Sequence, residues 1–109
     1  MSPVDRDVLS QAVSVIVKRY NPVEISLFGS RYRGQATEFS DWDFLVLLDN
    51  DAPDELFDPL YAWKTRELCL IPADLVVETE EGFTGSIGVS TSLAREIHDQ
   101  REILYTREK

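Results

Sequence analysis

The sequence predicts an α/β fold in which a small mixed β-sheet of about three strands is packed by helices. Three observations carry this. Apolar residues recur at spacings of three and four over residues 4–20, 56–69 and 93–104, the period of a helix with one buried face. Residues 23–28, 41–48 and 73–78 instead hold short runs dense in Val, Ile, Leu, Phe and Trp, the pattern of strands. The two kinds of segment interleave, which places helices against a sheet.

The elements follow in order. Ser2 caps the first helix and Pro3, with its fixed φ, suits the first turn. Val8, Leu9, Ala12, Val13, Ile16, Val17 and Tyr20 form the buried stripe, and Asn21-Pro22 ends it. Val23, Ile25 and Leu27 alternate with Glu24 and Ser26 as strand one, which Gly29-Ser30 breaks. Ser30 caps a short helix through Arg31–Ala36, and a loop runs to Ser40. Over Asp41–Leu48, Trp42, Phe44, Val46 and Leu48 share one face, while Asp41, Asp43, Leu45 and Leu47 share the other. Asp49–Asp54 is turn chemistry. The next helix starts with Asp58 as cap and Pro59 in the first turn, and ends near Ile71-Pro72. Residues 73–78 form a third strand. Glu80–Ser90, with Gly82, Gly85 and Gly88, reads as a flexible loop. Thr91 or Ser92 then caps a last helix carrying Leu93, Ala94, Ile97, Arg101 and Leu104.

Length and charge narrow the functions. At 109 residues, one domain over 1–109 is expected. Against 20 acidic residues stand 11 basic ones, a net charge of −9. Such a chain repels an extended phosphate backbone, so no extended nucleic acid is expected as partner, although local cations or metal ions can still hold one nucleotide. No apolar run approaches the roughly 20 residues of a membrane span. The first residues lack the basic-then-apolar layout of a secretion signal, and Cys69 is the sole cysteine. A cytoplasmic protein is expected.

Asp41 and Asp43, two apart on a strand, point to the same side with Cα atoms about 6.5 Å apart. Asp74 opens the next strand and joins them if the strands are neighbours. Two carboxylates at ~4 Å repel by about 4 kcal/mol at an effective dielectric near 20, which packing alone does not reward. A divalent, oxygen-seeking ion does, and Mg²⁺ held by carboxylates and phosphate oxygens is the usual solution. The bland alternative has Asp41 merely capping the start of the strand after Ser40 and Asp74 at a strand end in water; Asp43, a charge between Trp42 and Phe44, still needs a partner. Gly29-Ser30 supplies a turn whose backbone can approach a phosphate closely, with the Ser30 hydroxyl beside it.

Gly29-Ser30-Arg31-Tyr32-Arg33-Gly34-Gln35-Ala36, followed by Ser40-Asp41-Trp42-Asp43-Phe44-Leu45-Val46, resembles the signature of minimal nucleotidyltransferases of the DNA polymerase β-like superfamily. Ala73-Asp74-Leu75-Val76-Val77 is similar to the strand carrying that family's third acid. The resemblance implies the polymerase β-like nucleotidyltransferase fold and two Mg²⁺ ions, or Mn²⁺, at Asp41, Asp43 and Asp74. The third acid would activate the acceptor hydroxyl. It implies a triphosphate, ATP by preference, gripped by Gly29 and Ser30. Arg33 matches a signature position and either touches phosphate or pairs with an acid such as Glu38; Arg31 falls at a variable one. Small proteins of this type act as antitoxins to α-helical HEPN ribonuclease toxins, some by adding AMP to a toxin tyrosine. A second reading is a binding module that neutralises a partner by contact, and a third is a small-molecule nucleotidyltransferase working as a dimer.

The remaining chemistry-bearing residues read as structural. His98 has no metal-ligand spacing around it and is expected at the surface. Cys69 lies on a buried helical stripe. Tyr61 and Trp63 are expected in the core, since an exposed Trp would instead mark an interface.

Overall fold

The computed structural model describes residues 3–37, 40–87 and 93–107. The caps expected at Ser2 and at Thr91 or Ser92, residues 88–90 of the expected loop, and the Glu38 considered for Arg33 lie outside the described residues. The chain runs as α1 (Pro3–Tyr20), β1 (Glu24–Phe28), α2 (Gly29–Arg33), β2 (Trp42–Leu48), a 3₁₀ turn (Asp54–Phe57), α3 (Pro59–Cys69), β3 (Ala73–Thr79), α4 (Glu80–Ile87), α5 (Leu93–Asp99) and β4 (Glu102–Thr106).

The sheet is mixed and has four strands in the order β3-β2-β1-β4. β1 lies antiparallel to both β2 and β4, while β2 and β3 are parallel. A parallel pair cannot be closed by a tight turn, and α3 provides the crossover. Its start is the expected one: the Asp58 carboxylate accepts from the Leu60 N–H at 2.9 Å, and Pro59 occupies the first turn.

β2 is one of the two inner strands and is buried on both faces. Trp42, Phe44, Val46 and Leu48 pack with Ile25, Leu27 and the α1 stripe Leu9, Ala12, Ile16 and Tyr20, with Cys69 of α3 in the same cluster. Burial pushes the Cys69 thiol pKa up, as suits a small core residue. Leu45 and Leu47 pack on the opposite face with Phe83 of α4 and Ile97 of α5. Helices therefore cover both sides of the sheet, α1 and α3 on one, α4 and α5 on the other.

Four local expectations are corrected. The Glu80–Ser90 segment is helical over Glu80–Ile87, because Phe83 turns into the sheet and the Thr79 hydroxyl accepts from the Gly82 N–H at 3.0 Å, capping the first turn. The last helix stops at Asp99, and Glu102–Thr106 instead pairs with β1, making the fourth strand. Leu104 and Tyr105 pack on the α1 side of the sheet, a burial that a helical spacing count could equally accommodate. The short helix spans Gly29–Arg33 rather than Arg31–Ala36, since Gly34 at φ 72° ends it in the left-handed region. Trp63 is not in the core but 51% exposed, whereas Tyr61 packs against Tyr20 edge-to-face at 5.1 Å. Among the described residues no helix is long and apolar enough to cross a membrane.

Candidate active site

The end of β1 and the beginnings of β2 and β3 meet at one end of the sheet. Phe28 lies opposite Asp43, and Asp43 lies beside Asp74 in the parallel ladder. Laterally paired residues project to the same face, so Asp43 and Asp74 stand side by side on strands about 4.8 Å apart. Asp41, just before β2, is exposed, and Gly29 follows β1 at once. Asp41, Asp43, Asp74 and the Gly29-Ser30 turn are thus one neighbourhood.

Gly29 is there for two reasons. Its φ of 76° is in the left-handed region, and a Cβ built on it would run into the Asp43 Oδ2 and approach its Cγ to 3.1 Å. The Asp43 carboxylate lies against bare backbone that no other residue type leaves open. That carboxylate is half-buried and raised above its ordinary pKa. Burial is the largest cause, followed by the negative charges of Asp74 and Asp41, and Arg33 opposes them. The neighbouring carboxylates therefore favour a cation or a proton at Asp43.

The chemistry of the donor set, carboxylate oxygens with no sulfur or imidazole, suits a hard divalent ion. Among the described residues, however, no three acidic, His or Cys side chains are drawn together tightly enough to enclose one. Asp74 already has a cation beside it: its carboxylate lies 3.6 Å from the Arg66 guanidinium of α3, both side chains being partly exposed.

Two cations that the spacing left without a role act on this site. The Arg31 guanidinium stacks over Trp42 at 4.2 Å and donates to the Ser40 carbonyl at 2.9 Å, tying α2 to the segment that carries Asp41 and Asp43. Arg66 is the other. The signal for Arg31 was a cation two residues after Gly29 and a Trp between two acids; Arg66 had none, because its partner comes from a loop closure. Arg33 stands 3.7 Å from Glu96 of α5 and bonds the Gln35 side chain at 3.2 Å, so it is near Asp43 but engaged by polar neighbours. His98 is exposed beside Asp99.

The family model described as "Nucleotidyltransferase domain" matches residues 9–104. The chain belongs to this family. The match takes in β1, β2, β3, the first part of β4 and every residue of the candidate site, so the nucleotidyltransferase domain is built on the sheet just described. No curated protein matches the sequence. Three solved structures share the fold of this nucleotidyltransferase domain. A minimal nucleotidyltransferase, so named as a candidate, superposes with a TM-score of 0.59 at 20% identity, covering 91% of each chain. A toxin–antitoxin solved with AMP-PNP gives a TM-score of 0.57 at 22% identity over 91% of this chain and 73% of that one. A candidate nucleotidyltransferase from Sulfolobus solfataricus gives 0.57 at 18% identity, over 94% and 81%. The resemblance to minimal nucleotidyltransferases drawn from the motif therefore holds.

Proposed function

We propose that this nucleotidyltransferase domain passes AMP from ATP to a hydroxyl of a partner protein, in a reaction that depends on Mg²⁺ or Mn²⁺. The observation that carries the reading is the lateral pairing of Asp43 with Asp74 beside a glycine whose missing Cβ makes room for the Asp43 carboxylate. Asp41 and Asp43 would hold the divalent ions, with Asp74 contributing from the neighbouring strand. When bound, such ions neutralise the triphosphate and lower the pKa of the attacking hydroxyl. The Gly29-Ser30 turn grips the triphosphate through its backbone N–H groups and the Ser30 hydroxyl. Arg33 meets a phosphate oxygen in exchange for its contacts with Glu96 and Gln35. The acceptor oxygen forms its bond to the α-phosphorus as the bond from that phosphorus to the bridging oxygen breaks. Pyrophosphate leaves with that electron pair, and the hydroxyl proton passes to Asp74.

ATP and a protein acceptor are favoured by the fold shared with the toxin–antitoxin that binds AMP-PNP. The partner we infer is a HEPN-type toxin in the cytoplasm, with this chain as its antitoxin. The net charge of −9 argues against an RNA acceptor. One observation favours a second reading, neutralisation by contact alone: Asp74 is occupied by Arg66. Labelled ATP, Mg²⁺ and the co-expressed partner separate the two. Label on a partner hydroxyl, abolished by Asp41→Asn or Asp74→Asn, supports transfer. Full neutralisation by both variants with no AMP adduct supports contact alone.

A further inference from the structure

The outward face of α3 breaks the rule that large apolar side chains are buried. Leu60 is 74% exposed, Trp63 51% and Leu70 75%, and Phe57 and Leu68 are exposed beside them. The face was not left apolar for want of an amphipathic pattern, since Thr65 and Cys69 on the opposite side are buried. Trp63, Arg66 and Leu70 recur at i, i+3 and i+7, one flank of the helix. That flank leads to the candidate site, because Arg66 is the residue paired with Asp74.

Leu70 adds a second, independent sign. It caps α3 at φ 61° and ψ 18°, a left-handed position that ordinarily takes Gly or Asn. A bulky apolar residue there is unfavourable for the backbone, and three-quarters exposure is unfavourable for the side chain. Residues that break two local rules at once, with no compensation inside the chain, are concentrated at functional surfaces.

We infer that the outer face of α3 docks a partner protein through an amphipathic helix whose apolar stripe is flanked by Lys and Arg. This rests on the protein-acceptor reading above and says where that acceptor binds. A ridge of side chains spaced three and four apart interdigitates best with the grooves of another helix. The acids set the partner's charge: Asp54, Glu55 and Asp58 are exposed before the helix and at its start and Glu67 lies on the stripe itself, four acids against Lys64 and the Asp74-paired Arg66. A second copy of this chain would bring acidic rim against acidic rim, and like charges across an interface oppose association. A basic rim complements it.

Trp63 makes the test direct, since Trp42 is buried and only Trp63 can change its exposure much. The probes are two synthetic helices of about 18 residues, long enough to be helical, with one Leu stripe flanked either by Lys or by Glu. The expected result is a blue shift of Trp63 emission with the Lys-flanked peptide, which binds at least about 10-fold tighter than its Glu-flanked twin. Leu60→Ser and Leu70→Gly each weaken that binding about 10-fold or more. Leu70→Gly meanwhile keeps or raises the melting temperature, because glycine adopts the left-handed cap freely, which separates docking from folding. Equal affinity for both peptides, or binding indifferent to Leu60→Ser and Leu70→Gly, overturns the inference. So does size-exclusion evidence that the chain dimerises and loses the dimer on Leu60→Ser. The titrations need neither nucleotide nor metal and are repeated with Asp43→Asn. Selective docking without AMP transfer removes the transferase reading alone; transfer without selective docking removes the present inference alone.

Discussion

Replacing Gly29 by alanine tests the geometry on which the site depends. Two costs add. An L-residue at φ 76° loses about 1–2 kcal/mol to the left-handed backbone. The new Cβ also collides with the Asp43 Oδ2 and sits 3.1 Å from its Cγ, forcing that side chain off its rotamer for about 0.5–1.5 kcal/mol more. The total is roughly 1.5–3.5 kcal/mol, and at about 4 °C per kcal/mol for a domain near this size the melting temperature falls by roughly 6–14 °C. Gly34 is an internal control. It has φ 72° and nothing within 4 Å of a built Cβ, so Gly34→Ala incurs the backbone cost alone. The small gain from stiffening the unfolded chain is common to both variants and cancels. Differential scanning calorimetry of both, each also in an Asp43→Ala background, isolates the steric part as a double-mutant cycle. In that background the Gly29→Ala cost should drop toward that of Gly34→Ala, with only the Asp43 Cβ left at 3.3 Å. If Gly29→Ala costs no more than Gly34→Ala, or if Asp43→Ala does not relieve it, the carboxylate does not lie against the turn and the site's geometry is wrong.

Asp43 is raised above its ordinary pKa of 3.8, so its stabilising contribution is complete below that value and is lost as pH rises through the folded one. The metal-free Asp43→Asn variant should therefore melt at or above the wild type at neutral pH, with the gap closing toward pH 4, as thermal scans across that range will read. Asp49 is held below 3.8 by its hydrogen bond to Arg107, so that contribution is present above 3.8 and fades as pH falls further; Asp49→Asn should speed amide exchange in β4, measured by mass spectrometry. ATP binding followed by isothermal titration should need Mg²⁺ or Mn²⁺, and equal affinity in chelator would remove the ions from the proposal. Phe44→Ala, which empties a fully buried position of the inner strand β2, should cost about 3–5 kcal/mol in denaturant unfolding.

Much of the fold and the candidate site was legible residue by residue. α1, β1, β2, α3 and β3 fall within one or two residues of their sequence expectation, because each is marked locally by an apolar period or by a Pro or Gly at its end. Asp43 was legible as a charge inside an apolar run. β4 was not: its five residues, Glu-Ile-Leu-Tyr-Thr, continue an apolar spacing from α5, and only β1 as a pairing partner makes them a strand. α4 was hidden by Gly82 and Gly85, whose helical cost is met by Phe83 packing on Leu45 and Leu47.

By itself, the sequence determined the alternation of helix and strand, the acid pair at the start of β2 and the glycine turn before it, all set by neighbours along the chain. The tertiary structure decided which strands adjoin, and hence that Asp74 stands beside Asp43, because strand order depends on the α3 crossover and on long-range pairing. It also decided that Arg66 reaches Asp74 and that Trp63, Leu60 and Leu70 face outward. A helical stripe shows which residues share a side; only the packed sheet determines which side is covered.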